Sequence, residues 1–84
     1  MPHFTVAYRP TALDELAQIW LVAPDAQAVA DASNYIDRLL RVSPDAVGVD
    51  FGSFRTLGIE PLEVDFIVKV DDRYVEVLNV RFVG

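Results

Sequence analysis

The sequence predicts an α+β domain in which a twisted antiparallel β-sheet packs against an N-terminal helical hairpin. Residues 62–83 alternate apolar and polar side chains over most of their length, which is typical of half-buried strands. Two earlier stretches repeat apolar residues at helical spacing. The resulting order is β-α-α-β-β-β. A helix pair and a sheet can each bury the apolar side of the other, so we expect two layers.

The chain opens with a predicted strand over residues 3–8, where Phe4, Val6 and Tyr8 share one face. A helix follows. Pro10 suits its first turn, because the N–H that proline lacks has no partner there. The predicted apolar stripe of this helix consists of Leu13, Leu16, Ala17 and Trp20, with Trp20 in the core.

A second helix is predicted from about Asp25 to Val42. Its apolar stripe consists of Val29, Ala32, Ile36, Leu39 and Leu40. Ser43-Pro44 ends it, because the residue before a proline disfavours helical geometry. Residues 44–52 are predicted to be a loop. Phe54 to Ile59 is predicted to be the second strand, and a turn then leads into the final hairpin.

The final hairpin is predicted to place its apolar side chains on one face of the sheet. On its first strand these are Leu62, Val64, Phe66, Val68 and Val70. The turn is predicted at residues 71–73. The expected register pairs Val70 with Val75, Val68 with Val77, and Lys69 with Glu76. The alternation changes phase after Val77, which predicts a β-bulge near Leu78 or Asn79.

Composition restricts the classes of function. The 84 residues are enough for one domain, residues 1–84, with a modest core. Cysteine is absent, which excludes disulfides and thiolate chemistry. The single histidine, His3, would need carboxylates to complete a metal site, so we expect neither metal nor cofactor. No apolar run is long enough for a membrane span and no signal peptide is visible, which favours a cytoplasmic location. The net charge of −6 disfavours binding to phosphate backbones.

Several short motifs occur in an order that is found in a known family. They are Tyr8-Arg9-Pro10-x-Ala12-x-x-x-Leu16, Ala32-x-x-x-Ile36-Asp37-x-Leu39, Phe54-Arg55-x-Leu57, Pro61-Leu62-x-Val64-x-Phe66-x-Val68 and Val75-x-Val77-Leu78-x-Val80. Together they span nearly the whole chain. In their order and spacing they resemble the RelE/ParE superfamily of bacterial toxins, including plasmid-stabilisation proteins. The resemblance implies a small sheet backed by two helices. It also implies a toxin of a type II toxin–antitoxin pair that an antitoxin neutralises, with the ribosome or DNA gyrase as the target.

The sequence departs from the family where its ribosome-dependent RNases carry their chemistry. Those enzymes commonly have tyrosine and arginine where this chain has Leu62 and Glu63. They commonly have a basic residue and arginine where it has Phe82 and Val83. RNA cleavage needs a base for the 2′-hydroxyl and a cation for the phosphate. The resemblance therefore implies a toxin-like protein without the usual RNase site, and we do not expect an enzyme.

Two alternatives stay open. The chain could be an active ribosome-dependent mRNA endonuclease whose site has moved, with Arg55 and Arg81 as the candidate catalytic residues. It could also be a non-toxic module that only binds a partner or forms a homodimer.

Four residues are candidate contacts with a partner: Arg55, Ile67, Leu78 and Arg81. Arg55 stands in an otherwise apolar strand, where a structural salt bridge and a partner contact are equally well supported. Ile67 and Leu78 are predicted to form an apolar patch on the outer face of the sheet, suited to an antitoxin or a second copy.

Arg81 has a nearer set of partners. The hairpin places it close to Glu63 and Asp65, and a salt bridge to one of them is favoured over phosphate binding. Glu63 and Asp65 could also form a carboxylate pair for acid–base chemistry, although two such residues on one strand more often form a solvated face.

Overall fold

The computed structural model describes residues 3–84 as one sheet and two helices. In chain order the elements are β1 (Thr5–Tyr8), α1 (Pro10–Val22), α2 (Ala26–Val42), β2 (Val49–Asp50), β3 (Arg55–Ile59), β4 (Leu62–Lys69) and β5 (Tyr74–Phe82). The five-stranded sheet has the order β1-β5-β4-β3-β2. Both helices pack on the same apolar face, which confirms the predicted α+β class.

Local signals define the ends of the helices. α1 begins at Pro10, as predicted, and α2 begins after Asp25. The Asp25 carboxylate accepts a hydrogen bond from the Ala28 N–H at 3.1 Å, which satisfies a donor that the first turn cannot pair internally. α2 ends at Val42, directly before Ser43-Pro44.

The sheet differs from the prediction at both of its edges. β1 pairs with β5 in parallel, so the sheet is mixed rather than wholly antiparallel. A parallel pair needs a crossover connection, and the two helices between β1 and the remaining strands supply it. At the other edge, Val49 and Asp50 form a short strand, β2, inside the stretch that was predicted to be a loop.

The predicted hairpin register is wrong by two residues. Val68 pairs with Val75, and Lys69 pairs with Tyr74. The loop is longer than predicted because Val70 belongs to it: the Arg73 N–H donates to the Val70 carbonyl at 3.1 Å, and Arg73 adopts a φ of 48°. A shift of two residues keeps the side chains that remain in the strands on their predicted faces. Val70 was predicted on the core face, but in the loop its side chain is 57% exposed.

The predicted bulge is confirmed at Leu78. Phe66 pairs with Val77 while its neighbour Asp65 pairs with Asn79, so Leu78 has no opposite residue on β4. The extra residue moves Val80 onto the core face, where it is 3% exposed.

The core lies between the helices and the inner sheet face. Its buried apolar residues are Ala12, Ile19, Val29, Ala32, Ile36, Leu40, Leu57, Leu62, Val64, Phe66, Val75, Val77 and Val80. The stripe predicted for α2 is largely correct. Trp20, however, is 42% exposed, so its assignment to the core is wrong, and Leu13 and Ala17 are exposed as well. α1 carries apolar residues on both sides, and Ile19 rather than Trp20 faces the sheet. Neither α1 nor α2 is long and apolar enough to cross a membrane.

Candidate functional site

The outer face of the sheet carries a polar cluster centred on Arg81. Cross-strand pairing places Arg81 of β5 opposite Glu63 of β4. The Arg81 Nη2 and Nε atoms donate to Glu63 Oε1 at 2.7 and 3.0 Å. Nη1 and Nη2 also donate to the two carboxylate oxygens of Asp65 at 2.6 and 2.9 Å. One guanidinium therefore binds two carboxylates, and the predicted pairing of Arg81 across the hairpin is confirmed.

Asp65 is the buried member of this cluster, with 9% exposure. Besides Arg81, it accepts a hydrogen bond from the Thr56 hydroxyl on β3 at 2.7 Å. The hydrogen bonds from Arg81 and Thr56 hold the pKa of the Asp65 carboxyl below its usual range, against an opposing effect of burial. The carboxylates in turn raise the pKa of Arg81. Asp65 is thus a poor proton donor or acceptor near neutral pH, which argues against acid–base chemistry by the Glu63–Asp65 pair.

Arg55 lies on the opposite side of the sheet from Arg81, since it pairs with the core residue Phe66. Its Nε donates to the Val47 carbonyl at 3.0 Å, and Nη1 is 3.5 Å from an Asp50 carboxylate oxygen. The side chain is 19% exposed. Arg55 therefore anchors residues 47–50 to β3, and the structure does not bring the two candidate arginines together.

Ile67 and Leu78 are both half-buried, and neither belongs to the core. Ile67 is on the outer face, opposite Glu76. Leu78 is the bulge residue. Both are modestly exposed apolar side chains. The apolar patch that they were predicted to form, and its role in partner binding, stay a prediction.

The positions at which the RNases of the resembled family carry basic or aromatic groups hold other side chains here. Leu62 is 1% exposed and belongs to the core, so it does not reach the outer surface. Glu63 binds Arg81. Phe82 and Val83 are 39% and 51% exposed and have no group that binds an anion.

The basic side chains are almost all engaged within residues 3–84. Four form salt bridges: Arg9 with Glu76, Arg41 with Asp37, Arg55 with Asp50, and Arg81 with Glu63 and Asp65. Arg38 and Lys69 lie over the rings of Tyr35 and Tyr74 at 5.9 and 5.6 Å from the ring centroids. Only Arg73, in the β4–β5 loop, has neither kind of contact among the described residues. No cluster of free cations faces solvent there.

Two contacts in this region were not predicted from the sequence. Thr56 supports Asp65, a contact that requires knowing the β3–β4 register. Glu15 of α1 accepts a hydrogen bond from the Val80 N–H at 2.9 Å. β1 ends at Tyr8, so no strand lies beside β5 at Val80 on that side. The Val80 N–H is therefore paired with the Glu15 side chain instead of with a strand. The spacing of residues 15 and 80 along the chain carries no signal of this contact.

Solved structures of toxin–antitoxin proteins match this architecture over nearly its full length. The toxin–antitoxin complex RelBE2 from Mycobacterium tuberculosis superposes with a TM-score of 0.80 at 16% identity, covering 98% of this chain and 93% of the matched chain. The chromosomal ParDE system of P. aeruginosa gives a TM-score of 0.73 at 22% identity, covering 96% and 97%. The isolated E. coli RelE toxin gives 0.68 at 13% identity, covering 96% and 85%. This chain has the RelE/ParE fold.

The RelE/ParE fold was the fold that the sequence motifs implied, and it is confirmed. At these identities the match establishes the architecture alone. No protein-family model and no curated protein matches this sequence. Function therefore depends on what the side chains on the RelE/ParE scaffold can do.

Proposed function

We propose that this protein is the toxin-like component of a type II toxin–antitoxin system. The observation that carries the proposal is the match to toxin–antitoxin proteins over 98% of this chain and 93% of the matched chain, so that little of either lies outside the shared fold. The protein would be a single cytoplasmic domain of a bacterium that is neutralised by an antitoxin, as in the plasmid-stabilisation systems.

The proposal includes the absence of the usual RNase site. Cleavage of RNA requires stabilisation of negative charge on phosphate and removal of a proton from a hydroxyl group. On the outer sheet face, the Arg81 guanidinium is already bound to two carboxylates, and Glu63 stands where arginine is expected. Glu63 would repel a phosphate. A target reached by binding alone, with DNA gyrase as the family example, fits this surface better than mRNA cleavage.

Expression of the chain in bacteria tests the proposal. We expect the protein expressed alone to slow growth, and co-expression of the adjacent small open reading frame to restore it. The matched control is a core variant, Phe66→Asp, which should not fold and should not slow growth, because Phe66 is fully buried. Normal growth with abundant soluble wild-type protein would contradict the proposal and favour a non-toxic binding module.

A further inference from the structure

A groove runs between α2 and the turn that joins β3 to β4. One part, about 330 Å³, is lined by Pro24, Ala28, Pro61 and Phe82 among others. The other part, about 420 Å³, is lined by Ala28, Ala32, Tyr35 and Ile59 among others. Ala28 and Glu60 line both parts, so the two adjoin along α2 and the β3–β4 turn. We call this the α2–β3 groove.

The rim of the α2–β3 groove is acidic. Asp25, Asp31 and Glu60 all line it and are all exposed. No lysine or arginine is among its lining residues. The nearest cation given by the structure is the Arg38 guanidinium, 5.9 Å from the ring centroid of Tyr35, which lines the groove. An apolar floor with carboxylates along its rim complements a segment that carries both apolar and basic side chains.

The groove also borders an unpaired strand edge. β2 pairs only with Arg55 and Thr56 of β3. Gly48 lies against this edge further on, since a Cβ at Gly48 would fall 3.3 Å from the Leu57 Cα. The outer edge of Gly58 and Ile59 faces no strand within residues 3–84, and the Ile59 side chain lines the groove. An open edge next to an apolar groove suits an added strand, because backbone hydrogen bonds supply affinity while alternate side chains enter the groove.

We propose that the α2–β3 groove binds a short extended segment of the antitoxin, with apolar residues at alternate positions and lysine or arginine between or beside them. The assignment of the antitoxin as the natural occupant of the groove rests on the proposed function. From Asp25 to Tyr35, α2 rises by about 15 Å, which an extended segment of about five residues spans. A second copy of this chain is a poor occupant, because each copy carries a net charge of −6.

Two synthetic peptides test the chemistry of the groove. One alternates valine with lysine over about nine residues, and the other alternates valine with glutamate over the same length. Their binding to the ¹⁵N-labelled chain is followed by NMR at low salt. We expect the lysine peptide to shift the amides of Gly58, Ile59, Ala28 and Asp31, and the glutamate peptide to leave them unchanged. Shifts spread over the whole acidic surface, or equal for both peptides, would overturn the proposal.

Matched variants separate the groove from general attraction between opposite charges. The groove variant Asp25→Asn/Asp31→Asn/Glu60→Gln should bind the lysine peptide about tenfold more weakly. Asparagine at position 25 can still cap α2. The control variant Asp45→Asn/Asp71→Asn/Asp72→Asn changes the net charge equally at exposed sites outside the groove and should bind within about twofold of wild type. Equal weakening by both triple variants would overturn the groove as the site.

Steric block of the groove distinguishes this proposal from the proposed function. Ala28→Trp should fill the groove and abolish peptide binding, whereas Ala26→Trp, at the exposed start of α2, should not. If the Ala28→Trp chain slows growth and the neighbouring open reading frame still restores it, the groove proposal fails and the proposed function stands. If wild type does not slow growth but binds the lysine peptide in the groove, the proposed function fails and the groove stands. The groove triple variant decides the matter if Ala28→Trp does not fold.

Discussion

Arg81 is the residue that most limits the chemistry of the outer sheet face. Its guanidinium makes four hydrogen bonds shorter than or equal to 3.0 Å to Glu63 and Asp65. An incoming phosphate would have to displace two carboxylates, of which Asp65 is buried and further bound by Thr56. Bidentate arginine–carboxylate pairs are among the stronger side-chain hydrogen bonds, so this arginine serves the sheet itself.

Replacement of Asp65 by asparagine tests that structural role. Asp65→Asn removes the charge that Arg81 and Thr56 bind, and we expect the free energy of unfolding at pH 7 to fall by about 1–3 kcal/mol. The folded-state pKa of Asp65 is lowered, first by the Arg81 hydrogen bond. Its contribution is therefore full above the unfolded pKa of about 3.9 and is lost as the pH falls through the lower, folded value.

Urea unfolding at pH 7 and at about pH 2.5 measures this effect, and the gap between wild type and Asp65→Asn should narrow in acid. Asp71→Asn, in the exposed β4–β5 loop, is the control and should change stability little at pH 7. A variant as stable as wild type at pH 7 would show that the cluster adds nothing to folding.

Among the elements, α1 shows the largest difference between sequence pattern and structure. It buries Ala12 and Ile19, yet leaves Leu21 and Val22 78% and 74% exposed. Apolar residues occur on both sides of α1, and those on each side fit the spacing of a helix. The spacing alone therefore does not show which side is buried. The buried side of α1 is selected by packing against β5 and β1. β5 is far from α1 in the sequence, and β1 is short.

Two adjacent substitutions on α1 test which side is buried. Ile19→Ala should lower the free energy of unfolding by about 2–5 kcal/mol, because Ile19 is 7% exposed and its removal leaves a cavity. Trp20→Ala should cost less than about 1 kcal/mol despite the larger side chain, because Trp20 is 42% exposed. Chemical denaturation of both variants measures the difference. The reverse order would show that the helix is rotated relative to this structure.

For the molecule as a whole, charge and the engagement of its cations determine which polymers it can bind. The net charge is −6, and six of the seven basic side chains contact a carboxylate or a tyrosine ring. Phosphate backbones are bound by clustered free cations, which the described surface does not present.

Purified protein should consequently leave messenger RNA intact on translating ribosomes. The loss of one oxyanion donor typically slows such chemistry by about 10²–10³, and several expected donors are replaced here. Primer extension on a translated message would detect cleavage, with an active ribosome-dependent RNase as the positive control. Codon-specific cuts that disappear in Arg55→Ala or Arg81→Ala would show that these arginines have taken over the reaction.

The sequence alone determined the α+β class, the order of the main elements and the face on which most side chains of the final hairpin lie. These features follow from the local alternation of apolar and polar residues, which can be recognised within a single short stretch of the chain. The Arg81 pairing with Glu63 and Asp65 was also predictable, because it lies within one hairpin. The bulge at Leu78 was visible as a change of phase.

Tertiary structure decided the features for which local periodicity allows more than one arrangement. The β4–β5 register depends on whether Val70 belongs to the strand or to the loop, and a shift of two residues preserves the alternation that the sequence displays. Three other features depend on contacts between segments far apart in sequence. They are the parallel placement of β1, the buried side of α1 and the contact of Glu15 with Val80. The α2–β3 groove exists for the same reason, because its walls are α2 and β3, and only the packing of one against the other brings them together.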